Sequence, residues 1–147
     1  IYRERESSLA DVFDAAKRSR VMARVRGRDT KPELAVRRYL HATGLRFRLH
    51  RRDLPGRPDL VFPSRRVAVF VHGCFWHQHP GCRRARLPQT RADFWREKLE
   101  GNVRRDAAAL VALEADGWTV LVVWECEVGP EALEALYARI VGAPVRR

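Results

Sequence analysis

Leu60-Val61-Phe62-Pro63-Ser64-Arg65-Arg66-Val67-Ala68-Val69-Phe70-Val71-His72 contains two short apolar runs, rich in β-branched and aromatic residues, parted by a Pro-Ser-Arg-Arg break. Such runs bounded by turn residues read as neighbouring strands joined by a hairpin-like connection. Upstream, Thr30-Lys31-Pro32-Glu33 has capping-box spacing with proline inside the first turn. Val36, Tyr39, Leu40 and Thr43 then share one face, and Gly44 is a stop, which predicts a helix from about Pro32 to Thr43. Downstream, Asp93 to about Ala115 reads as a long helix offering Phe94, Leu99, Val103, Leu110 and Leu113 to the core. Gly117 closes it before Trp118-Thr119-Val120-Leu121-Val122-Val123-Trp124, a buried strand, and a last helix runs from Pro130 to about Val141. This order predicts an α/β fold with a mixed central sheet flanked by helices. The 147 residues, 46% of them hydrophobic, suit one domain over 11–147. Residues 1–10 read as a charged flexible arm leading to a short helix near Asp11 to Arg20.

The chain carries 29 Lys and Arg against 18 Asp and Glu, a formal net charge of +11. An excess of that size on a folded domain attracts polyanions, nucleic acid first among them. Because only Lys17, Lys31 and Lys98 are lysines, a generally arginine-rich surface is the competing explanation. No apolar run approaches the roughly 20 residues of a spanning helix, and IYRERESS lacks the apolar centre of a signal peptide, so the chain reads as soluble, cytoplasmic and without a membrane partner.

Between Cys74 and Thr90 the sequence is rich in Cys, His, Pro, Gly and Arg and has no period, so something other than an apolar core must hold it. Three cysteines cannot all pair within one chain, and Cys74 and Cys82 lie among histidines, with Cys126 far away at the end of the last strand. Three thiolates and one imidazole make a closed tetrahedron suited to structural zinc. His77 could supply the imidazole or, with its unperturbed pKa near neutrality, act as a general base; spacing does not separate the two. His72 ends its strand and could hold a phosphate or simply face solvent. Asp59, at the start of a strand in Pro55-Gly56-Arg57-Pro58-Asp59, could carry a hard divalent cation or merely cap the turn.

Phe75, Trp76 and Trp95 lie among Arg83, Arg84, Arg86 and Arg91, the mixture a protein uses to wedge between base pairs while cations hold phosphates; core packing is the alternative. On the long helix, Glu97, Lys98, Asn102, Arg105 and Asp106 fall near i, i+4 or i+7 spacing. They could face a DNA backbone, with Lys98 and Arg105 on phosphates, or form an ordinary solvated face.

Taken in order, Arg18-Ser19-Arg20-Val21-Met22, Arg28-Asp29-Thr30, Glu33, Leu54 to Asp59, His72-Gly73-Cys74-Phe75-Trp76-His77, Phe94-Trp95, Glu97-Lys98, Asn102-Val103, Arg105-Asp106, Gly117-Trp118 and Val123-Trp124-Glu125-Cys126 resemble the very-short-patch-repair (Vsr) endonuclease family. HGCFWH and VWEC are the specific parts. The resemblance implies a restriction-endonuclease-like fold and a monomeric, bacterial, Mg²⁺-dependent enzyme. Such enzymes nick one strand of duplex DNA 5′ of the thymine in a T:G mismatch left by 5-methylcytosine deamination, in concert with repair-pathway proteins. Carried over by position, it implies Asp59 and the Val71 carbonyl as Mg²⁺ ligands, His77 as general base, and His72 at the phosphate. Glu33 would support the centre, competing with its capping role.

The resemblance further implies zinc on Cys74, His79, Cys82 and Cys126, intercalation by Phe75, Trp76 and Trp95, and DNA contacts from Met22, Lys98, Asn102 and Arg105. The chain departs from the family where Val71 replaces the usual threonine and where the histidine loop is one residue longer, which favours His79 as the ligand. A restriction-type or structure-specific nuclease, and a zinc-stabilised DNA-binding module without catalysis, are the alternatives.

Overall fold

The computed structural model describes residues 29–146; the expected arm at 1–10, the short helix at 11–20 and Met22 lie outside the described residues. Helix α1 spans Lys31–Ala42 and starts as its sequence dictates: the Thr30 hydroxyl accepts from the Glu33 amide at 3.4 Å, and Pro32 sits in the first turn. Its end is closed by the Thr43 hydroxyl, which donates to the Leu40 carbonyl at 2.6 Å.

Four strands follow in spatial order β1-β2-β3-β4. The first, β1 (Arg48–Leu49), is short and exposed and pairs antiparallel with β2 (Leu60–Phe62). That β2 pairs antiparallel with β3 (Val67–His72), as the opening stretch predicts, and the turn between them is a single 3-10 turn ending on Arg66 at φ 52°. Along its whole length β3 pairs parallel with β4 (Thr119–Trp124), so the sheet is mixed. A parallel neighbour needs a crossover, and helix α2 (Ala92–Ala115) provides it. Helix α3 (Pro130–Gly142) completes the described elements.

The two faces of the sheet are covered differently. Leu60, Phe62, Val67, Val69, Leu121 and Val123 pack against Val36 and Leu40 of α1 and Leu133, Leu136 and Ile140 of α3. On the other face Val61, Ala68 and Phe70 meet Leu113 of α2 and Trp118. Strand β3 is therefore apolar on both sides, and each fully buried Val or Leu contributes about 1.5–3 kcal/mol.

Two expectations need correction. Phe94, Val103 and Leu110 are exposed, and α2 instead buries Trp95, Leu99, Gly101, Ala109 and Leu113. The inward stripe is Trp95, Leu99, Asn102, Asp106, Ala109, Leu113, at alternating four- and three-residue steps; two polar members conceal it from a hydrophobicity reading. Strand β4 is only half-buried: Leu121 and Val123 lie in the core, whereas Thr119 and Val122 are exposed, β4 being the edge of the sheet among the described residues.

Candidate active site and metal centre

One end of the sheet collects most of the chemistry. Asp59 enters β2 with its amide bonded to the Val69 carbonyl at 3.0 Å, while its Oδ2 accepts from the Val71 amide at 2.7 Å. Both bonds fix the carboxylate to β3. Burial, opposed by the Val71 hydrogen bond and reinforced by the neighbouring Glu33 carboxylate, pushes Asp59 up to about 7. Burial and the facing Glu33 carboxylate disfavour ionised Asp59 even with Arg37 near, a cost that a hard divalent cation would lower. Glu33, 3% exposed, serves helix and site together: its amide donates to Thr30, its Oε2 accepts from the Asp29 amide at 3.1 Å, and its carboxylate faces Asp59.

His72 is buried at the end of β3 rather than facing solvent. Its ring stacks on His77, centroids 3.8 Å apart and planes 4° apart. Burial first, and the charge of His77 second, push His72 down to about 4, so it is neutral at pH 7. Among the described residues its Nδ1 has no hydrogen-bond partner, which leaves a buried polar atom free for a ligand. The Nδ1 of His77 lies 2.6 Å from Asp106 Oδ2 on α2. Asp106 thus leaves the outer polar face of α2 and turns its carboxylate toward the site loop.

The structure separates the two histidines that spacing could not. His79, not His77, joins Cys74, Cys82 and Cys126, with one donor atom from each residue and all four within 4.8 Å of one another. His79 Nδ1 is 3.6 Å from the Cys74 sulfur and 3.4 Å from that of Cys126. Tetrahedral zinc, with bonds near 2.3 Å to sulfur and 2.0 Å to nitrogen, sets such atoms about 3.5 Å apart, so the four side chains fit that ion. Without a cation the cluster is unfavourable for thiolates: burial pushes Cys74 up to about 12 and raises Cys126, while the Arg84 amide lowers Cys82. His79 Nε2 faces Glu127 at 3.6 Å, the outer partner a ligating imidazole usually has.

The connecting loop is held by specific bonds. The Cys74 amide donates to Glu125 Oε1 at 3.0 Å, and the Gln78 amide group donates to the carbonyls of Phe75 and Ala85. Asn102 donates to the Trp76 carbonyl at 3.0 Å and accepts from Arg105. The rings of Phe75, Trp76 and Trp95 form one cluster over Leu99, with Trp76 and Trp95 at 8% and 7% exposure and Phe75 half-buried. Lys98 is half-buried and Arg105 exposed on α2.

His50 and Arg37 were not singled out from sequence. His50 Nε2 lies 3.2 Å from Glu33 Oε2 and 2.8 Å from Arg37 Nη2, and Arg37 also pairs with Glu33 and Asp29. Nothing in their spacing reveals this, because the contacts join α1 to the end of β1.

A model of the DNA mismatch endonuclease Vsr family matches residues 10–84. Type II nicking enzyme V.XorIIP of Xanthomonas oryzae pv. oryzae is 53% identical over 132 residues, covering 90% of this chain and 95% of the relative. DNA mismatch endonuclease Vsr of Escherichia coli is 45% identical over 135 residues, covering 90% and 86% respectively. Type II nicking enzyme V.NmeAIP of Neisseria meningitidis is 40% identical over 125 residues, covering 85% and 89%. At this identity and coverage, the chain belongs to the Vsr family of DNA mismatch endonucleases.

Proposed function

We propose that this DNA endonuclease nicks one strand of a mismatched duplex, 5′ of the thymine in a T:G pair. The observation that carries the chemistry is the His77–Asp106 bond beside the buried, stacked His72, at the same sheet end as Asp59 and Glu33. With Nδ1 donating to Asp106, His77 offers Nε2 as the base that takes a proton from water. His72, neutral and with a free ring nitrogen, holds a phosphate oxygen or the leaving group. Asp59, with the Val71 carbonyl and Glu33 nearby, would hold Mg²⁺, which when bound polarises the phosphate and stabilises the charge that develops on it.

The sheet with helices on both faces supports a restriction-endonuclease-like architecture. Zinc on Cys74, His79, Cys82 and Cys126 would be structural, because all four positions are protein donors and none is left for substrate. Lys98 and Arg105 lie on the α2 side of the loop, where they would meet backbone phosphates, and Asn102 acts there through the Trp76 carbonyl.

Phe75, the least buried of the aromatic cluster, leads the wedge into the base stack, and Trp76 and Trp95 follow when the cluster opens. Opening costs contacts, and a mismatch, being cheaper to unstack than a paired step, is where that cost is most easily met. The test is a panel of matched duplexes and all single mismatches with Mg²⁺, mapped to the cleaved bond. A single nick on the T:G duplex and little on matched DNA is the expected result; equal cutting of both removes the mismatch assignment.

A further inference from the structure

The carboxylates of Glu33 and Asp59 come from different elements, α1 and the start of β2, and one imidazole reaches both. His50 leaves β1 with its amide bonded to the Asp59 carbonyl at 3.1 Å, in the left-handed region at φ 49°. That backbone conformation disfavours a side chain and is retained here with the ring turned into the carboxylate pair. Nε2 is 3.2 Å from Glu33 Oε2, and Nδ1 is 3.9 Å from Asp59 Oδ1, too long for a direct hydrogen bond and suited to a bridging water. Arg37, one turn beyond Glu33 on α1, meets the same Glu33 oxygen as His50. Its Nη2 pairs with Glu33, lies 2.5 Å from Asp29 Oδ1, and is 2.8 Å from His50 Nε2. Both side chains are largely buried, at 15% and 16% exposure, so neither spends its polarity on solvent.

We propose that Arg37 and His50 are a positioning pair that fixes the direction in which Glu33 and Asp59 present their oxygens, and thereby sets how tightly the site takes a divalent cation. Neither residue touches the reacting atoms. The pair rests on the reading of Asp59 and Glu33 as the cation-binding side of the nicking site. The imidazole and the guanidinium converge on the same oxygen, Glu33 Oε2, and so pin that end of the carboxylate, leaving Oε1 the one to turn toward a cation, while the backbone bond from His50 to Asp59 keeps the two carboxylates in register. Removing either side chain frees Glu33 to rotate on the first turn of α1 without unseating Asp59, which β3 holds independently.

The experiment uses the full chain with His50→Ala, His50→Gln and Arg37→Met. Mn²⁺ binding is measured without DNA by the loss of the free-ion EPR signal, and the Mg²⁺ dependence of nicking is measured beside it. His50→Ala and Arg37→Met should each weaken Mn²⁺ roughly tenfold and raise the Mg²⁺ half-saturation similarly, with the rate at saturating Mg²⁺ within about threefold of the parent. The His50→Gln amide, which reaches the place of Nε2, should recover most of the affinity. Unchanged Mn²⁺ affinity in folded His50→Ala and Arg37→Met overturns the proposal, as does a fall in the saturated rate with no change in metal dependence. If the truncations do not fold, His50→Asn, whose shorter amide cannot reach Glu33, must weaken Mn²⁺, and an unchanged affinity overturns the pair. A parent protein that nicks no duplex defeats the nuclease assignment alone, since the Mn²⁺ measurement still decides the pair.

Discussion

The 2.6 Å bond between His77 Nδ1 and Asp106 Oδ2 ties the cysteine loop to the middle of α2 and leaves His77 with only Nε2 to offer a substrate. Asp106→Asn keeps the size of the side chain but can bond the opposite tautomer, placing the proton on the nitrogen that should accept one. Single-turnover nicking should fall by about a hundredfold or more, within the range for general-base catalysis, with DNA affinity little changed. A rate within threefold of the parent would remove His77 as the base.

Cys126 lies just beyond β4, and its three partners lie in a loop whose apolar anchorage is the small cluster of Phe75, Trp76 and Leu87 on Trp95 and Leu99 of α2. Purified protein should contain one equivalent of zinc, measured by elemental analysis. Cys126→Ser should lose most of it and melt roughly 5–15 °C lower, the scale expected for a few kcal/mol in a domain of this size. Retained zinc with an unchanged melting temperature would take Cys126 out of the site.

Asp59 and His72 give opposite pH slopes. Asp59, pushed up to about 7, holds its proton more tightly when folded, so its share of stability is present below the ordinary carboxylate value and lost as pH rises to 7. His72, pushed down to about 4, holds its proton less tightly, so its share is present above 6.5 and lost as pH falls to 4. Each slope is at most about 1.4 kcal/mol per pH unit, and they oppose each other over one window. Without added Mg²⁺, the melting temperature of the parent should change little from about pH 4.5 to 6.5, while Asp59→Asn should gain stability across that range as His72 acts alone. Parallel pH profiles for the two proteins would contradict the assignment of both shifts.

Gly56 has φ +73°, and a Cβ there would stand 2.7 Å from the Ala109 Cβ and 3.1 Å from Phe70 Cζ. The loop leading to Asp59 thus lies directly against α2, the helix that carries Asp106. Gly56→Ala should cost about 2 kcal/mol, from backbone strain and overpacking together. In urea melts, the double variant with Ala109→Gly should be less destabilised than the two single changes added; simple additivity would show that the contact is not felt.

The elements most legible in sequence are those with local cues. Thr30, Pro32 and Glu33 mark the start of α1 because capping is decided within one turn, and the two apolar runs around Pro63 mark β2 and β3 because their contrast with the turn is sharp. Strand β1 carries no sequence signal: two exposed residues, Arg48 and Leu49, have no pattern, and only pairing with Leu60 and Val61 makes them a strand. The inward face of α2 is hidden in the sequence because Asn102 and Asp106 interrupt its buried stripe, and those are the residues that fasten the site loop and His77. The cysteine cluster was legible from residue type, but the choice of His79 over His77 needed the fold or the family pattern. His50 and Arg37 gave no sign at all, since their contacts cross between elements.

The parallel pairing of β3 with β4 sets His72 opposite Trp124, whose ring packs edge-on against His72 at 5.2 Å and stacks on His79 at 4.2 Å. The groups that hold the site histidines, Asp106, Trp124 and Cys126, all follow them in the chain, the last of them beyond the final strand. On the ribosome, His72 and His77 therefore emerge before the groups that orient them, whereas Asp59 needs only β3. A chain that stops before β4 lacks Trp124 and Cys126, so on the proposed reading the nicking site is complete only when β4 has been made and docked.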